Sequence, residues 1–412
     1  MKNTKKSIVC FIMILLICVV AGCENESTSK SAVNATENLQ KAVQKILPPH
    51  AQLYVSDGIG KKQSIYQTDI DQDGEKEAVV LYQNPTDNKQ IHMMILKNKA
   101  NHWTKIIDTS LNAYVLDYFD FIAFHKGEKE SIVIGEAQTK EDANKHLEIY
   151  NMEKNNLQLI QAFDYHQFQI DDFLKNSDKE LMLFDGTIGQ EQTAKFYANQ
   201  KGSFVLQSQV NLEAYAEHEH VITGNLSDDT KAVFVDSGVG AHSLLTEVVF
   251  MSNGKLKLLG NTSDSNYLKD IALYSKDINQ DGVIEIAKTI LPTAYADAAT
   301  AEIPTIAEYA DIDQNGNRVV NKTVYVDEGE NFEIEIPTEQ EKDIKITKET
   351  TSLTVQNQAT NQVLYKVQWA KQKEVPQNVI VLKKAGDIVY YRDKETYVIA
   401  DEAFHLLEEN FN

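Results

Sequence analysis

Asp69-Ile70-Asp71-Gln72-Asp73-Gly74-Glu75-Lys76-Glu77-Ala78-Val79-Val80-Leu81 is an acidic, glycine-bearing turn that runs straight into an apolar strand-like stretch. The texture returns at Gly127-Glu128-Lys129-Glu130-Ser131-Ile132-Val133-Ile134 and at Ser177-Asp178-Lys179-Glu180-Leu181-Met182-Leu183-Phe184. It returns again at Asp228-Asp229-Thr230-Lys231-Ala232-Val233-Phe234-Val235 and at Gly282-Val283-Ile284-Glu285-Ile286-Ala287. The equivalent positions are 77, 130, 180, 231 and 285, spaced by 53, 50, 51 and 54 residues. A strand-rich period near fifty is the length of a propeller blade of about four strands. One such unit cannot bury both faces of its sheet, whereas stacked units can. The competing reading is an irregular all-β chain whose acidic turns are alike by chance, and five regularly spaced copies stand against it.

The expected fold is therefore mainly β. Residues 50–328 form a β-propeller-like repeat domain of five to seven blades. From residue 331 the pattern changes: Phe332, Ile334 and Ile336 alternate with acids and Pro337 ends the run. Ile344 and Ile346, Leu353 and Val355, then Val363, Tyr365, Val367 and Trp369 also alternate, at the period of a half-buried strand. Asp401 is placed to cap a last short helix carrying Phe404 and Leu407. Residues 329–412 thus read as a small C-terminal antiparallel β-sheet domain with a terminal helix. Ahead of the repeats, residues 36–49 read as a short helix, with Leu39, Val43, Ile46 and Leu47 on one face and Pro48-Pro49 as its stop.

The first turn carries the clearest chemistry. Asp69, Asp71, Asp73 and Glu77 put oxygen-bearing side chains at loop positions 1, 3, 5 and 9, with Gly74 at position 6, where the chain must bend sharply. Asp277, Asn279, Asp281, Gly282 and Glu285 repeat that arrangement. Alternate side chains in a tight loop converge on one point, and the main-chain carbonyls of Glu75 and Val283 at position 7 add an oxygen each. Ca²⁺ takes six to eight hard oxygen ligands in flexible geometry, so both loops are candidate Ca²⁺ sites. A third loop, Asp311-Ile312-Asp313-Gln314-Asn315-Gly316, has Val319 at position 9 and is a weaker candidate. The plainer reading of all three is an acidic hairpin turn, where Asp, Asn and Gly are favoured without any ion.

Neither loop is an EF-hand, because position 12 is Val80 or Lys288 rather than a bidentate Glu. The spacing instead resembles the calcium loops of FG-GAP and VCBS-type propeller repeats, found in integrin-like and many bacterial surface proteins. That resemblance spans roughly residues 60–300. It implies Asp69, Asp71, Asp73 and Glu77 as ligands of one site and Asp277, Asn279, Asp281 and Glu285 of another. Around Glu130, positions 1, 3 and 5 are Ile122, Phe124 and Lys126, and at the fourth copy the ninth residue is Lys231. Those two repeats are expected to be metal-free.

The N-terminus gives an address. Lys2, Lys5 and Lys6 precede an apolar run from Ile8 to Val20, long enough for a signal segment and too short for a bilayer-spanning helix. It ends in Val20-Ala21-Gly22-Cys23, which resembles the lipobox of bacterial lipoproteins. The resemblance implies cleavage after residue 22, acylation of Cys23, and a membrane anchor on the extracytoplasmic face. Residues 23–35 then read as a flexible polar tether. With Cys10 and Cys18 in the leader, Cys23 is the last cysteine left, so no disulfide forms within the mature chain. The whole resembles VCBS-type lipoproteins of Gram-positive bacteria.

The formal charge is −21, and loss of the three leader lysines takes it to −24. Such an acidic surface excludes nucleic acid, whose phosphates need a basic face, and electrostatic docking on anionic lipid. No His-Glu-x-x-His, Cys-x-x-Cys, phosphate-binding glycine loop or nucleophile elbow is present. His218-Glu219-His220 could set two imidazoles on one face of a strand for a transition metal, with a solvated turn as the plainer reading. Gly238-Val239-Gly240-Ala241-His242-Ser243 reads as a loop. No residue is assigned a catalytic role. The expected function is a non-enzymatic binding or scaffold module for a protein, peptide or glycan. The rivals are a calcium-stabilised cell-wall or polysaccharide-acting lyase or hydrolase, and an assembly factor at the membrane.

Overall fold

The structure, a computed structural model, describes residues 38–407 apart from 101, 141, 143, 201, 241–242 and 300–301. The expected leader (1–22), Cys23 and the tether (23–35) lie outside the described residues, as do Ala241 and His242.

The described residues are mainly β, in six sheets. The first four are each built on an up-and-down antiparallel meander laid down in chain order, with a short extra strand beside the first, second and fourth, among them Ile59–Gly60, which pairs parallel with Val115–Ile122 of the second sheet. Their second strands are Glu77–Gln83, Ser131–Ala137, Glu180–Gly186 and Lys231–Gly238. The repeat positions 77, 180 and 231 are the first residues of these strands, and 130 precedes its strand by one. In the fifth sheet Glu285 likewise precedes Ile286–Thr289. The sequence period is thus the period of the sheets.

These second strands read as unbroken apolar runs because both of their faces are covered. Alternate residues go to opposite neighbours. In the first sheet Val79 and Leu81 pack toward the second sheet's Phe119, Ile132 and Ile134. In the second, Val133 packs toward the third sheet's Leu181 and Leu183. Met182 and Phe184 then meet the fourth sheet's Val233 and Val235. Ala232 and Phe234 meet Ile286 and Ile312 of the fifth. Each fully buried Val, Leu, Ile or Phe contributes roughly 1.5–3 kcal/mol, so the sheets are bound chiefly through these four interfaces.

The two ends of the stack are closed differently. Ala78, Val80, Tyr82, Met94 and Leu96 on the free face of the first sheet are covered by Leu39 and Val43 of helix 38–46, with Ile46 and Leu47 alongside. At the other end, Phe332, Ile334 and Ile336 of the fifth sheet pack on Ile344, Leu353, Val355, Leu364, Tyr365 and Val367 of the sixth. Among the described residues no hydrophobic cluster joins the first sheet to the fifth or sixth.

The expected boundary at 328/329 falls at a hairpin turn: Arg318–Asp327 pairs directly with Phe332–Ile336. Among the described residues the expected C-terminal helix is not formed. Asp401–Ala403 makes a single 3-10 turn, and Phe404–Leu406 then runs as a strand against Phe332–Ile334. Spacing of three between Phe404 and Leu407 suggests a helix, but the edge of the fifth sheet offers backbone partners that five or six helical residues could not match.

Candidate functional site

The two acidic loops share one hydrogen-bond frame. In the first, Asp69 accepts from the backbone N–H of Asp73 (3.1 Å) and Gly74 (3.0 Å), and Glu77 accepts from Ile70 (3.2 Å). In the second, Asp277 accepts from Asp281 (3.0 Å) and Gly282 (2.8 Å), and Glu285 from Ile278 (2.9 Å). Gln72 and Gly74, like Gln280 and Gly282, take positive φ to make the bend. Glu75 and Val283 enter through their N–H groups, which donate to Asp73 and Asp281 at 2.9 and 2.8 Å. Asp69, Asp71 and Glu77 bring carboxylate oxygens within 4.8 Å of one another, and so do Asp277, Asp281 and Glu285. Both acidic clusters are close enough to hold a metal ion.

They differ in what faces them. Across the ladder from Glu77 stands Lys97. Its Nζ lies 2.7 Å from Asp71, 2.6 Å from Asp73 and 3.1 Å from Glu77. Burial pulls the Lys97 ammonium down, but the hydrogen bonds it donates to those three carboxylates outweigh it and the pKa rises. Glu77, fully buried, is itself pushed up by desolvation against the pull of Lys97. An internal ammonium therefore lies against three carboxylates of the first loop, and a metal ion there would have to displace it.

In the fifth sheet Ile286 pairs with Ala310, so the next residues outward, Glu285 and Asp311, stand opposite each other. The position of Lys97 is thus taken by an acid. Asn321 Nδ2 donates to Glu285 (2.9 Å) and to Asp311 (2.6 Å). Desolvation, partly offset by Asn321, pushes both carboxyls up. Among the described residues no ion pair reaches Asp277, Asp281, Glu285 or Asp311. Here three carboxylates converge, with Asp311 joined to Glu285 through Asn321, and the nearby Lys322 ammonium reaches the Ile278 carbonyl (3.3 Å) and Glu335 (3.4 Å) instead, so this donor set does fit a hard divalent ion.

The third candidate loop has another job. Asp313 accepts from the N–H groups of Asn315 (2.8 Å) and Asn317 (2.9 Å), closing a hairpin turn. A further copy escapes the sequence reading. Asp172 accepts from Asn176 and Ser177, both at 2.9 Å, and Glu180 from Phe173 at 2.9 Å, which is the same frame. Its position 3 is Leu174, 43% exposed, so the frame forms without a cation cluster.

His218-Glu219-His220 is not a turn. It lies in the strand Glu217–Asn225, where His218 pairs with Ser237 and His220 with Asp236, a bulge at Glu219. Adjacent partners mean opposite faces, so the two imidazoles do not share one. His220 Nδ1 sits 3.2 Å from the buried Asp236 carboxylate. Asp236 also accepts from Thr246 (2.5 Å) and from Ser275 through both N–H (2.6 Å) and hydroxyl (2.9 Å), while Lys269, fully buried, lies 3.4 Å away. Desolvation would raise this carboxyl, yet Lys269 and the hydrogen bonds bring it down to about 2. The network ties segment 269–275 to the fourth sheet.

On the other face, His218 lines a cleft of about 430 Å³ with His166, Gln167, Thr187 and Ile188. Neither ring nitrogen of His218 has a protein partner, at a cost of about 1–3 kcal/mol for each buried group left unsatisfied. Burial, with a smaller push from His166, brings it down to about 4, so the ring is neutral at physiological pH.

No protein-family model matches this chain, and no curated protein matches it. Among solved structures it is similar to Sqt1 of Saccharomyces cerevisiae at 9% identity and a TM-score of 0.34, covering 77% of this chain and 81% of that one. It is also similar to the AfRom2 CNH domain at 11% identity and a TM-score of 0.30, covering 84% of this chain and 99% of that one. The exotype rhamnogalacturonan lyase YesX follows at 10% identity and a TM-score of 0.30, covering 65% of this chain and 55% of that one. At these scores the likenesses carry no argument about what the chain does.

Proposed function

We propose that this chain is a membrane-tethered extracytoplasmic lipoprotein that acts as a binding module without catalysis of its own. Cys23 carries the lipid, residues 23–35 span the gap to the fold, and the stacked sheets form a propeller-derived arc. The second acidic loop holds Ca²⁺ through Asp277, Asn279, Asp281 and Glu285 with Asp311 beside them, bracing the junction of the fourth and fifth sheets. The observation that carries the binding reading is a polar cleft of about 430 Å³ at the ends of the second, third and fourth sheets, lined by Asn144, His166, Gln167, Thr187, Gln192 and His218. Loops gathered at the ends of rigid sheets are well suited to such contacts.

The rival reading, a wall- or polysaccharide-acting enzyme, has one observation in its favour, the Asp236–His220 pair. Its carboxylate is saturated by Thr246, Ser275 and Lys269, which suits a structural anchor better than a general base.

Co-sedimentation with isolated cell-wall polymer, followed by an assay for new chain ends, tests the reading. Retention on the polymer without cleavage is expected. Cleavage that His220→Ala abolishes would replace the binding module with the enzyme. For the anchor, a clickable fatty acid should label the wild type and not Cys23→Ala, and labelling that survives the substitution removes the lipoprotein claim.

A further inference from the structure

Asp236 sits in the strand Lys231–Gly238 of the fourth sheet. Lys269 sits in the short strand Leu268–Lys269, which pairs with Leu244 and Leu245 of the same sheet. Both side chains are fully buried, and Lys269 Nζ lies 3.4 Å from Asp236 Oδ1. Other donors fix the carboxyl in place. The Thr246 and Ser275 hydroxyls donate to Oδ1 at 2.5 and 2.9 Å, and the Ser275 N–H donates to Oδ2 at 2.6 Å. His220 Nδ1 lies 3.2 Å from Oδ2, and its side chain is 34% exposed.

The amine is less well served. An ammonium carries three N–H donors. Among the described residues Lys269 Nζ meets two acceptors, the Leu273 carbonyl at 2.5 Å and Asp236 Oδ1, the latter at a length beyond that of a charge-assisted bond. Burial pulls the amine down, toward the neutral form that has a lone pair to give. Holding two charges out of water is costly, and a covalent, neutral pair escapes that cost. The hydrogen bonds around such a product are already in place. An amide nitrogen keeps one N–H, which Leu273 accepts, and an amide oxygen accepts from Thr246 and Ser275.

We infer that Lys269 and Asp236 condense into an isopeptide cross-link inside the fourth sheet. The resting ion pair first passes one ammonium proton to Oδ2. The Nζ lone pair then forms the N–Cγ bond, and the Cγ=Oδ1 electrons move onto Oδ1, where the two hydroxyls hold the charge as an oxyanion hole does. When the carbonyl re-forms, the Cγ–Oδ2 bond breaks and Oδ2 leaves with that electron pair as water. His220 gives Oδ2 its second proton and is refilled from solvent, which takes up the proton that Nζ sheds. Three ammonium protons are thus replaced by one on the amide and two on the water. The donors hold Asp236 ionised at rest, so the step is slow and happens once.

Asp236 and Lys269 are 33 residues apart, and the link pins the segment that leads into the second acidic loop. It supplies the staple that a mature chain with one expected cysteine cannot draw from a disulfide. Lys97, the other internal ammonium, is shared among three carboxylates, one of them 43% exposed, and stays an ion pair.

The test is mass spectrometry of the full chain, purified in detergent and digested with trypsin. Wild type should give a branched peptide that joins Asp236 to Lys269 and is one water lighter than its two arms. Lys269→Met and Asp236→Ala should give unbranched peptides of full mass, and Asp236→Asn should branch with loss of ammonia in place of water. In pulse-labelled chain sampled over time, His220→Ala should form the link about a hundredfold more slowly. Unbranched wild type at full mass overturns the inference without recourse to any variant. So does a branch that joins Lys97 to Glu77 instead. So does a water loss confined to the Asp236 peptide and reversed by hydroxylamine, which marks a succinimide with Ser237. A His220→Ala chain that links at the wild-type rate removes His220 from the step.

Discussion

Lys97→Met removes the ammonium from the first loop and keeps the side chain's apolar stem. The side chains of Lys97, Asp71 and Glu77 are 8%, 10% and 0% exposed, so two of its three ion pairs are out of water. Asp73, at 43% exposed, is screened and adds little. Removing one partner from a buried pair costs about 3–5 kcal/mol. Glu77 can relieve part of that by taking a proton, which favours the low end, about 3 kcal/mol. In chelator that is a fall of roughly 5–10 °C in melting temperature. Ca²⁺ should then recover much of the loss, because the emptied loop has the frame and carboxylates of the second. Binding to the folded state adds about 1.4 kcal/mol at tenfold excess over Kd and about 2.7 kcal/mol at hundredfold. The assay is a circular-dichroism melt with chelator and with Ca²⁺, in an Asp281→Ala background so that any calcium response belongs to the first loop. A Lys97→Met protein that melts with its parent in chelator would show that the ammonium holds nothing. One that is destabilised yet indifferent to Ca²⁺ would show that the loop is a turn and not a cation cradle.

In the otherwise native chain, Asp281→Ala alone should erase the calcium-dependent rise in melting temperature, whereas Asp71→Ala and Asp313→Ala should leave it in place; equal effects at the two loops would refute their inequality. Glu136, Glu180 and Glu247 are pushed up by burial from 4.5 to about 7. The folded state therefore holds protons that the unfolded chain has released, and stability falls as pH rises through that window, by about 1.4 kcal/mol per pH unit for each group at most. His218, brought down from 6.5 to about 4, opposes them with a single proton. The chain should melt higher near pH 5.5 than at 7.5, and Glu247→Gln should shrink the difference; a melting point that rises with pH across this window sinks the argument. Leu39→Ala should lower the urea midpoint in keeping with a loss of about 2–5 kcal/mol, with exposed Gln40→Ala near neutral, and a silent Leu39→Ala would mean that the helix does not seal the first sheet.

The strand period was legible because a strand covered on both faces is written as an unbroken apolar run, and the turn before it needs Asp, Gly and Glu for its own hydrogen bonds. Both signals are local. What the sequence hid is pairing over distance. Phe404–Leu406 looked helical because its partner, Phe332–Ile334, lies some seventy residues back. The two histidines could be set on one face of a strand because a one-residue bulge leaves no mark in composition. Lys97 passed unnoticed as one lysine among many in a strand, until the register set it opposite Glu77. Asp311 was read as the head of a third loop, while the fold gives it to the second site through Asn321.

The acidic loop therefore separates into a frame and a filling. The frame is an Asp at position 1, a bend at position 6 and a Glu at position 9 that accepts from the N–H of position 2. It recurs at 69–77, 172–180 and 277–285, and its bonds are all to backbone. The frame alone explains why acidic residues recur at this spacing, so their recurrence is no argument for metal. The filling is set by position 3 and by the residue across the ladder. Leu174 gives a turn with no cation cluster, Asp71 with Lys97 gives a turn closed by an internal ammonium, and Asn279 with Asp311 gives a cluster of acids that no described ion pair reaches. The case for Ca²⁺ accordingly rests at the third of these, where among the described residues no ion pair reaches the carboxylates.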